Sequence, residues 1–445
     1  MKVSKAWILL IALALMAGCG GGSSSVTNAP PQPGTAQVSV SLHDMPPSGV
    51  TVLAFQATIT GISMQPSNVS LLNSNMTLEM TQLQGMSAYM GTVSVPAGAY
   101  TGMTITLFNP QMTFLNNTGS MMGGGGMMGG GGCASGQICQ LSPTMMASGV
   151  TITGSPFPMN VQANTSMNIQ MNFDLMGSMQ SNMSMNPVMT SMMQQTMPGS
   201  NMFDEMDDML GEVSSVRTAN DQFTMSFAQG MPSMPLAVDT NTAFEGFDGI
   251  GKPNNITGLA QGQILLVRMG LLAGGTLHAE KVRFESNNQV LDGMVVTMNS
   301  GTQFDIVVMK EGPAFQGVNM GDVVRMNVQA GSMFDIDDMD LPVSGMSFAS
   351  STDMMIGQMV QIEPTSALVP GTPAQLNTNH VRLMKTWVTA KVASKVDAST
   401  FTVNNLPGMF GTAGFSSMTV STSSQTEFDS ISNVNALNFG VSLAN

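Results

Sequence analysis

Methionine is the residue type here with the most distinctive chemistry, because thioether sulfur is a soft ligand that suits Cu(I). The chain has 445 residues and 48 methionines, and 20 of these fall within residues 121–209. The candidate Cu(I) ligands form two groups: Met176, Met179, Met183 and Met185, and then Met189, Met192, Met193 and Met197. The second group is spaced i, i+3, i+4 and i+8, which predicts one face of a short helix after Asn186.

Three other interpretations of these methionines stay open. Methionine is an adaptable core residue, and its high frequency along the whole chain favours general replacement of Leu, Val and Ile. The helical stripe would then simply pack on a sheet. Exposed methionine also takes up oxidant as sulfoxide, so the region could scavenge oxidants. Residues 121–209 contain no histidine to assist copper, so packing is the first expectation and Cu(I) the alternative.

The other reactive residues lack the spacing of known catalytic motifs. His43, His278 and His380 are the three histidines, and the last two occupy similar places in two repeats, where strand residues are expected. The sequence shows no signature of a serine hydrolase, a zinc protease or a thiol oxidoreductase. A carboxylate-only glycosidase stays open, because its two acids can come from anywhere in the chain. We expect no catalytic residues.

Two acidic clusters, at 204–208 and 335–340, each follow a Met-Phe pair. Oxygen-rich loops can bind Ca²⁺, but neither cluster has the ligand spacing or the central glycine of a known calcium loop. We interpret both as solvated acidic turns.

The first 19 residues are organised as a secretory signal. Lys2 and Lys5 precede the apolar run 6–15, which is too short to span a bilayer. The stretch 16–19, Met-Ala-Gly-Cys, resembles a bacterial lipobox. That resemblance implies a lipid on Cys19, attachment to the membrane through this lipid, and localisation in the bacterial cell envelope, with the outer membrane expected. The alternative is an ordinary signal peptide with a chance cysteine.

The remaining cysteines, Cys133 and Cys139, form an even pair once Cys19 carries a lipid. In an oxidising envelope such a pair most simply forms a small-loop disulfide. A soft-metal site is the alternative, but no neighbouring histidine supports it.

Charge is distributed unevenly along the chain. Its net charge is −14, and no Lys or Arg occurs between Lys5 and Arg217. Binding to nucleic acid needs clustered cations, so nucleic acid is excluded as a partner. Contact with a membrane must then come from the lipid.

Short alternating strands fill the amino-terminal half. Val38, Val40 and Leu42 alternate with polar residues, and similar strands separated by turns predict an antiparallel β-sandwich over 36–176. A Gly/Ser/Pro-rich segment, 20–35, predicts a flexible tether. Two four-glycine runs predict a disordered Gly/Met insertion over 116–140, since such runs cannot pack a core.

The sandwich region resembles an uncharacterised bacterial envelope domain, known only as a domain of unknown function. The similar phrases are 38–47 (VSVSLHDMPP), 95–101 (VPAGAYT) and 171–175 (MNFDL). The family carries no catalytic residues to transfer.

After a Met-rich connector, 177–210, the carboxyl half repeats itself. Phe223-Thr-Met and Phe401-Thr-Val are matching phrases, as are 281–283 (KVR) and 380–382 (HVR). We place units at 211–287, 288–385 and 386–445, the last of them short of a final strand. Each predicts a small β-barrel of the OB type. The pattern resembles a second domain of unknown function that accompanies the first in bacterial lipoproteins.

We therefore expect an all-β protein: an antiparallel β-sandwich, a connector with one short helix, and barrel-like repeats. The expected function is that of a non-enzymatic, envelope-anchored lipoprotein with a structural or binding role toward cell-surface components, either a polysaccharide or a protein. The alternative is a periplasmic Cu(I)-binding or oxidant-scavenging protein that uses residues 121–209.

Overall fold

A computed structural model describes residues 34–45, 51–84, 87–116, 133–180, 183–194, 201–228, 230–312, 315, 317–337, 346–386, 388, 390–422 and 426. The predicted signal peptide, lipidation site and tether lie outside these ranges, except for the last two tether residues, as do residues 117–132 of the predicted insertion and Met197. No helix within the described ranges is long and apolar enough to cross a membrane.

Twelve strands and one short helix build the amino-terminal domain. In chain order the strands are β1 (Thr35–Met45), β2 (Thr51–Gln65), β3 (Val69–Ser70), β4 (Met76–Glu79), β5 (Ala88–Pro96), β6 (Gly98–Tyr100), β7 (Gly102–Leu115), β8 (Ile138–Leu141), β9 (Gly149–Ile152), β10 (Met159–Val161), β11 (Ser166–Asp174) and β12 (Met189–Gln194). Helix α1 (Leu175–Ser178) follows β11, and a 3-10 turn (Met80–Gln84) follows β4.

These strands form two main sheets. The first has the order β12-β11-β1-β5, and the second has β3-β2-β7-β8, with β4 also paired to β2 and β9 to β7. A two-stranded sheet pairs β10 with β6. The sandwich is not wholly antiparallel as predicted, because β1 and β11 run parallel. The long connection between these two strands allows that crossover, which a hairpin could not make.

Both faces of β1 are buried, although the alternating sequence predicts burial of one face only. Val38, Val40 and Leu42 are fully buried in the core between the sheets. Phe55 of β2 stacks on Phe173 of β11, with ring centroids 5.8 Å apart, and so ties the two sheets together. Ser39, on the opposite face of β1, is also buried, because that face is covered by the next domain.

Two local predictions in this domain are wrong. The helix expected after Asn186 is strand β12, which pairs with β11 from Phe173↔Met189 onward. The open edge of β11 supplies backbone partners there, whereas an isolated helix of this length is marginal. The end of the predicted insertion is also ordered, since β8 pairs with β7.

The first barrel-like domain, named barrel 1, begins inside the predicted connector. Its strands are β13 (Met202–Arg217), β14 (Gln222–Ser226), β15 (Met234–Ala237), β16 (Ala243–Glu245), β17 (Ile264–Leu272) and β18 (Leu277–Ser286), with 3-10 turns at Thr218–Asn220, Asp248–Ile250 and Ile256–Gly258. The strand order is β15-β14-β13-β17-β18-β16, and a further parallel pairing of β15 with β18 closes the sheet on itself. The predicted connector, 177–210, is therefore divided between β12 of the sandwich and β13 of barrel 1.

The second domain of this kind, barrel 2, is closed. It contains β19 (Leu291–Ser300), β20 (Gln303–Glu311), β21 (Val323–Ile336), β22 (Met359–Pro364) and β23 (Ala374–Leu383), with a 3-10 turn at Ser351–Asp353. The order around the barrel is β19-β20-β21-β23-β22. Its core is a separate apolar cluster that includes Phe304, Ile306 and Ile362.

The third unit is a smaller sheet within the described residues. Strands β24 (Lys391–Lys395), β25 (Thr400–Asn404) and β26 (Ser417–Ser421) pair antiparallel in that order, and helix α2 (Gly408–Thr412) lies between the last two. The all-β class is confirmed, and barrels 1 and 2 confirm that the carboxyl-terminal region contains small barrels, whereas the described part of the third unit is a three-stranded sheet.

The sandwich packs closely against barrel 1. Ser39 Oγ and Thr92 Oγ1 lie 2.7 Å apart, and Thr92 donates to the Gly275 carbonyl at 3.3 Å. A Cβ on Gly275 would meet Thr92 at 2.5 Å. Glycine is therefore required for this close approach, and its positive φ of 75° suits it as well.

The sandwich also packs against barrel 2. Thr113 donates to the Gly321 carbonyl at 2.6 Å. Beside this bond lies an apolar cluster shared by three domains, which we call the shared cluster: Leu53, Ala54 and Leu115 of the sandwich, Val296, Val307 and Met309 of barrel 2, and Met409 of α2. Burial of this cluster holds the domains together as one unit.

Candidate functional site

The largest group of interacting charges lies where barrel 1 meets barrel 2. Arg283 and Glu285 are two residues apart on β18, so their side chains share one face of that strand. Glu285 Oε1 lies 2.8 Å from Arg283 Nε, and its Oε2 accepts a hydrogen bond from Arg382 Nη1 at 2.9 Å. Arg283 also donates to Asp337, while Arg382 Nε donates to Asp335 at 3.2 Å. We call these five residues the junction network.

Burial dominates the electrostatics of this network. The Glu285 side chain is fully buried. Burial raises the pKa of Glu285 to about 7, although the guanidinium groups of Arg283 and Arg382 act in the opposite direction. The carboxylates of Asp292 and Asp337 raise it further. At neutral pH a proton can therefore be gained or lost inside the contact between the barrels.

Both barrels carry a His–Asp pair at the same place in their sheets. In barrel 1, His278 is the parallel partner of Ala237, and its Nε2 lies 3.4 Å from Asp239 Oδ2. In barrel 2, His380 is the parallel partner of Met333, and its Nε2 lies 3.2 Å from Asp335 Oδ1. Each aspartate is two residues beyond the strand partner. The pair is thus a duplicated feature of the strand contact that closes each barrel.

The acids of these pairs are held in the charged form. Although burial opposes it, hydrogen bonds from His380 and Arg382 lower the pKa of Asp335. A backbone hydrogen bond from Asn241, together with the nearby His278, lowers the pKa of Asp239. His278 and His380 themselves lie half-buried in strands, as predicted.

His43 lies close to a serine and an aspartate, but not in the arrangement of a catalytic triad. Its Nε2 is hydrogen-bonded to Ser87 Oγ, and the same nitrogen lies 3.8 Å from Asp204 Oδ2. A triad needs the serine at one ring nitrogen and the carboxylate at the other. Ser87 is also 1% exposed, so a substrate could not reach it. These residues instead connect β1 of the sandwich to β13 of barrel 1.

A cavity of about 70 Å³ lies where the sandwich and the two barrels meet. Small-molecule sites usually enclose about 300–1,000 Å³, so this cavity has room for a few water molecules. One of its acids, Glu79, accepts hydrogen bonds from the Phe55 amide at 2.7 Å and the Thr81 hydroxyl at 2.8 Å. The lining residues with polar or bulky side chains include Glu79, Ser87, Met209, Phe227, Lys310 and Glu311.

The first group of candidate methionine ligands is partly brought together. Met179 and Met185 are direct backbone partners in an antiparallel bridge. Met183 lies in the turn between them and is half-buried, as is Met176 in α1. Met185 is fully buried. Met145, which no spacing in the sequence indicates, is the second bridge partner of Met185.

The second group does not converge as a helix would have placed it. On strand β12, Met189 is buried, whereas Met192 and Met193 are 49% and 46% exposed. Consecutive strand residues point to opposite faces, so Met192 and Met193 cannot both face one ion. Met189 and Met193 share a face but are separated by about 13 Å along the strand.

The first acidic cluster is not a turn as predicted, and of the second only residues 335–337 are described. Residues 204–208 lie within strand β13, and Asp335 lies within β21. Asp204 and Asp337 are both 5% exposed, because contacts between domains cover them. Across the described parts of the chain, no three His, Cys, Asp or Glu side chains form a group that could hold a metal ion.

Cys133 and Cys139 are joined by a disulfide, with their Cα atoms 6.0 Å apart. The bond closes a small loop before β8, and Cys133 is 2% exposed against the sandwich core. Met121, Met122, Met127 and Met128 of the same insertion lie outside the described residues.

Two segments of the chain match known protein families. Residues 35–189 match Domain of unknown function (DUF4382). Residues 211–283 match a second family, Domain of unknown function (DUF5666). The predicted combination of two uncharacterised domains is thus confirmed. Among curated proteins, none matches the chain.

The matched ranges agree with the described domains. The DUF4382 match covers β1 to the first residue of β12, so it takes in nearly the whole sandwich. The DUF5666 match begins within β13 and ends at Arg283 in β18. The His278–Asp239 pair therefore lies inside the DUF5666 region, whereas Glu285 follows its end.

Proposed function

We propose that this protein is a non-enzymatic lipoprotein, held at the bacterial cell envelope by a lipid on Cys19, whose folded domains bind a cell-surface component. The observation that carries the proposal is the shared cluster, in which side chains from the sandwich, barrel 2 and α2 are buried together. Apolar burial of this kind makes the domains one rigid unit, which suits a protein that presents a surface to a partner.

The charged and polar groups support this role. Glu285 binds both Arg283 and Arg382 between the two barrels. His43 and Asp204 likewise connect two domains. These groups lie in contacts between domains, and the support they give is to a rigid arrangement of the domains.

Exposed apolar side chains on the sandwich favour a protein partner over a polysaccharide. Phe108 and Met146 are 64% and 66% exposed, and Met192 and Met193 of edge strand β12 are about half exposed. Flexible methionine side chains adapt to partner surfaces. The chain has only two Trp and two Tyr, the residues that most readily stack on sugar rings.

Co-sedimentation with cell envelopes tests the binding role. A form of the protein that begins at residue 20, and so lacks both the predicted signal peptide and Cys19, is mixed with envelopes of the producing cells and centrifuged. We expect it to pellet with untreated envelopes and to stay in solution after the envelopes are digested with protease. Loss of pelleting after periodate oxidation instead would identify a polysaccharide. Failure to pellet with untreated envelopes would contradict the binding role.

Cu(I) binding or oxidant scavenging by the whole of residues 121–209 stays a prediction, because residues 117–132 lie outside the described part of the chain.

A further inference from the structure

Three methionines that are distant in sequence are neighbours on adjacent backbone segments. Met185 forms an antiparallel bridge with Met179 and a parallel bridge with Met145. The parallel bridge is made by hydrogen bonds from the Met146 amide to the Met185 carbonyl at 2.8 Å, and from the Met185 amide to the Thr144 carbonyl at 2.9 Å. Directly paired residues point to the same face, with Cα atoms about 4.5–5.5 Å apart. The three side chains therefore form a row with Met185 in the centre.

The three methionine side chains of this row differ in how deeply they are buried. Met185 is fully buried and belongs to the sandwich core. Met145 and Met179 are half-buried and pack against that core from either side. Such a row combines a buried central side chain with two outer side chains that are partly exposed. An ion could enter past the outer pair and lose its water at the centre.

The hairpin that joins two of these methionines has an unusual turn residue. Its backbone bonds run from the Gln180 amide to the Ser184 carbonyl and from the Met183 amide to the Gln180 carbonyl, both at 2.9 Å. Met183 has a φ of 63°. This left-handed conformation costs about 1–2 kcal/mol for a residue with a Cβ.

Other described turns avoid this cost. Among the described residues, six that are not glycine have positive φ, and five of them are Asn or Asp, which tolerate it: Asn68, Asn109, Asn164, Asp221 and Asn405. Met183 is the exception. Strained residues cluster at functional sites, where a particular side chain is needed. Met183 is also half-buried, and it lies two residues before Met185 in the same hairpin, which keeps a fourth thioether close to the row along the chain.

The ligand chemistry follows from the side chains. Thioethers are neutral and soft, so they select Cu(I) and discriminate against Ca²⁺, Mg²⁺ and other hard cations. Three rotatable bonds allow each methionine to turn its sulfur toward a common point. A packing role alone would be served equally well by leucine, which has similar volume and no such ligand.

We propose that Met145, Met179 and Met185 bind one Cu(I) ion through their thioether sulfurs, and that Met183 is held in its strained turn as an additional sulfur ligand. Binding forms Cu–S bonds without any change of oxidation state and releases no proton, because thioethers carry none. The site does not depend on the partner binding proposed above, since its side chains pack against the core whereas that proposal uses exposed side chains.

Competition for Cu(I) tests the site directly. The full chain is titrated with Cu(I) under reductant and without oxygen, against the chromogenic chelator bicinchoninate. We expect one Cu(I) per chain for the wild type. Met185→Leu and Met179→Leu should each weaken binding by about tenfold or more, because each removes a ligand while conserving volume. Met183→Asn should also weaken binding while stabilising the fold, since asparagine relieves the strained turn.

The matched control is Met192→Leu, which changes an exposed methionine of β12 and should bind Cu(I) as the wild type does. Thermal unfolding of each variant shows whether it is folded when it is titrated. Met121, Met122, Met127 and Met128 are changed to Leu together in a further variant, to separate the insertion from the row. The proposal is overturned if the wild type binds no Cu(I), or if binding is lost only in this last variant.

Discussion

Replacing Arg283 with methionine is expected to lower the free energy of unfolding by about 3–5 kcal/mol at pH 8, the usual cost of removing one partner from a buried ion pair. Arg283 contacts Glu285 at 2.8 Å and also binds Asp337. Both carboxylates are buried and would lose their nearest cation. Urea denaturation of the purified variant and the wild type measures the difference.

Arg268 offers a matched control on the same barrel. It lies 3.4 Å from Glu205, and both side chains are about one-third exposed. Exposed pairs contribute about 0–1 kcal/mol, so Arg268→Met should be nearly neutral. Equal destabilisation by the two substitutions would mean that burial does not increase the contribution of the junction network to the free energy of unfolding.

The free energy of unfolding should depend on pH because the Glu285 carboxyl titrates near neutral pH in the folded protein. Its pKa is about 7 in the folded protein, against an ordinary value of 4.5. A carboxyl whose pKa is raised on folding binds its proton more tightly in the folded state. The stability that protonated Glu285 contributes to the folded state is therefore fully present below the unfolded pKa of 4.5, and it is lost as the pH rises through 7. Between pH 5 and pH 8 the wild type should lose about 2.5 kcal/mol relative to Glu285→Gln.

Glutamine keeps the shape of Glu285 and cannot titrate, so subtracting its pH profile removes the contribution of all other groups. A difference between the two profiles that stays flat from pH 5 to pH 8 would show that Arg283 and Arg382 keep Glu285 ionised throughout. A difference that increases with pH in favour of the wild type would reverse the sign of the account.

The alternating residues of β1 show what could be predicted from sequence. Val38, Val40 and Leu42 follow the period of a strand with one face in a core, and they lie there. Met189, Met192 and Met193 fit a helical period equally well by chance. Pairing with the open edge of β11 stabilises this segment as a strand instead. The intrinsic helix preference of a short methionine-rich segment is weaker than the effect of such tertiary pairing.

The charge network could be predicted only in part. Arg283 and Glu285 are two residues apart in the sequence, so any strand that runs through them places both side chains on one face. Their partner Arg382 lies 97 residues away from Glu285 and meets it only when the two barrels pack. Likewise, Met145 could not be joined to Met185 from spacing, because their pairing depends on the path of the chain around the sandwich.

Attachment at the envelope is the central claim, and the intact mass of the membrane-extracted protein tests it most directly. We predict a chain that begins at Cys19 and carries a diacylglyceryl group and acyl chains, and a Cys19→Ala variant that is either unprocessed or released from the membrane. A wild-type chain that begins at another residue, or that has the unmodified mass from Cys19 onward, would contradict the account.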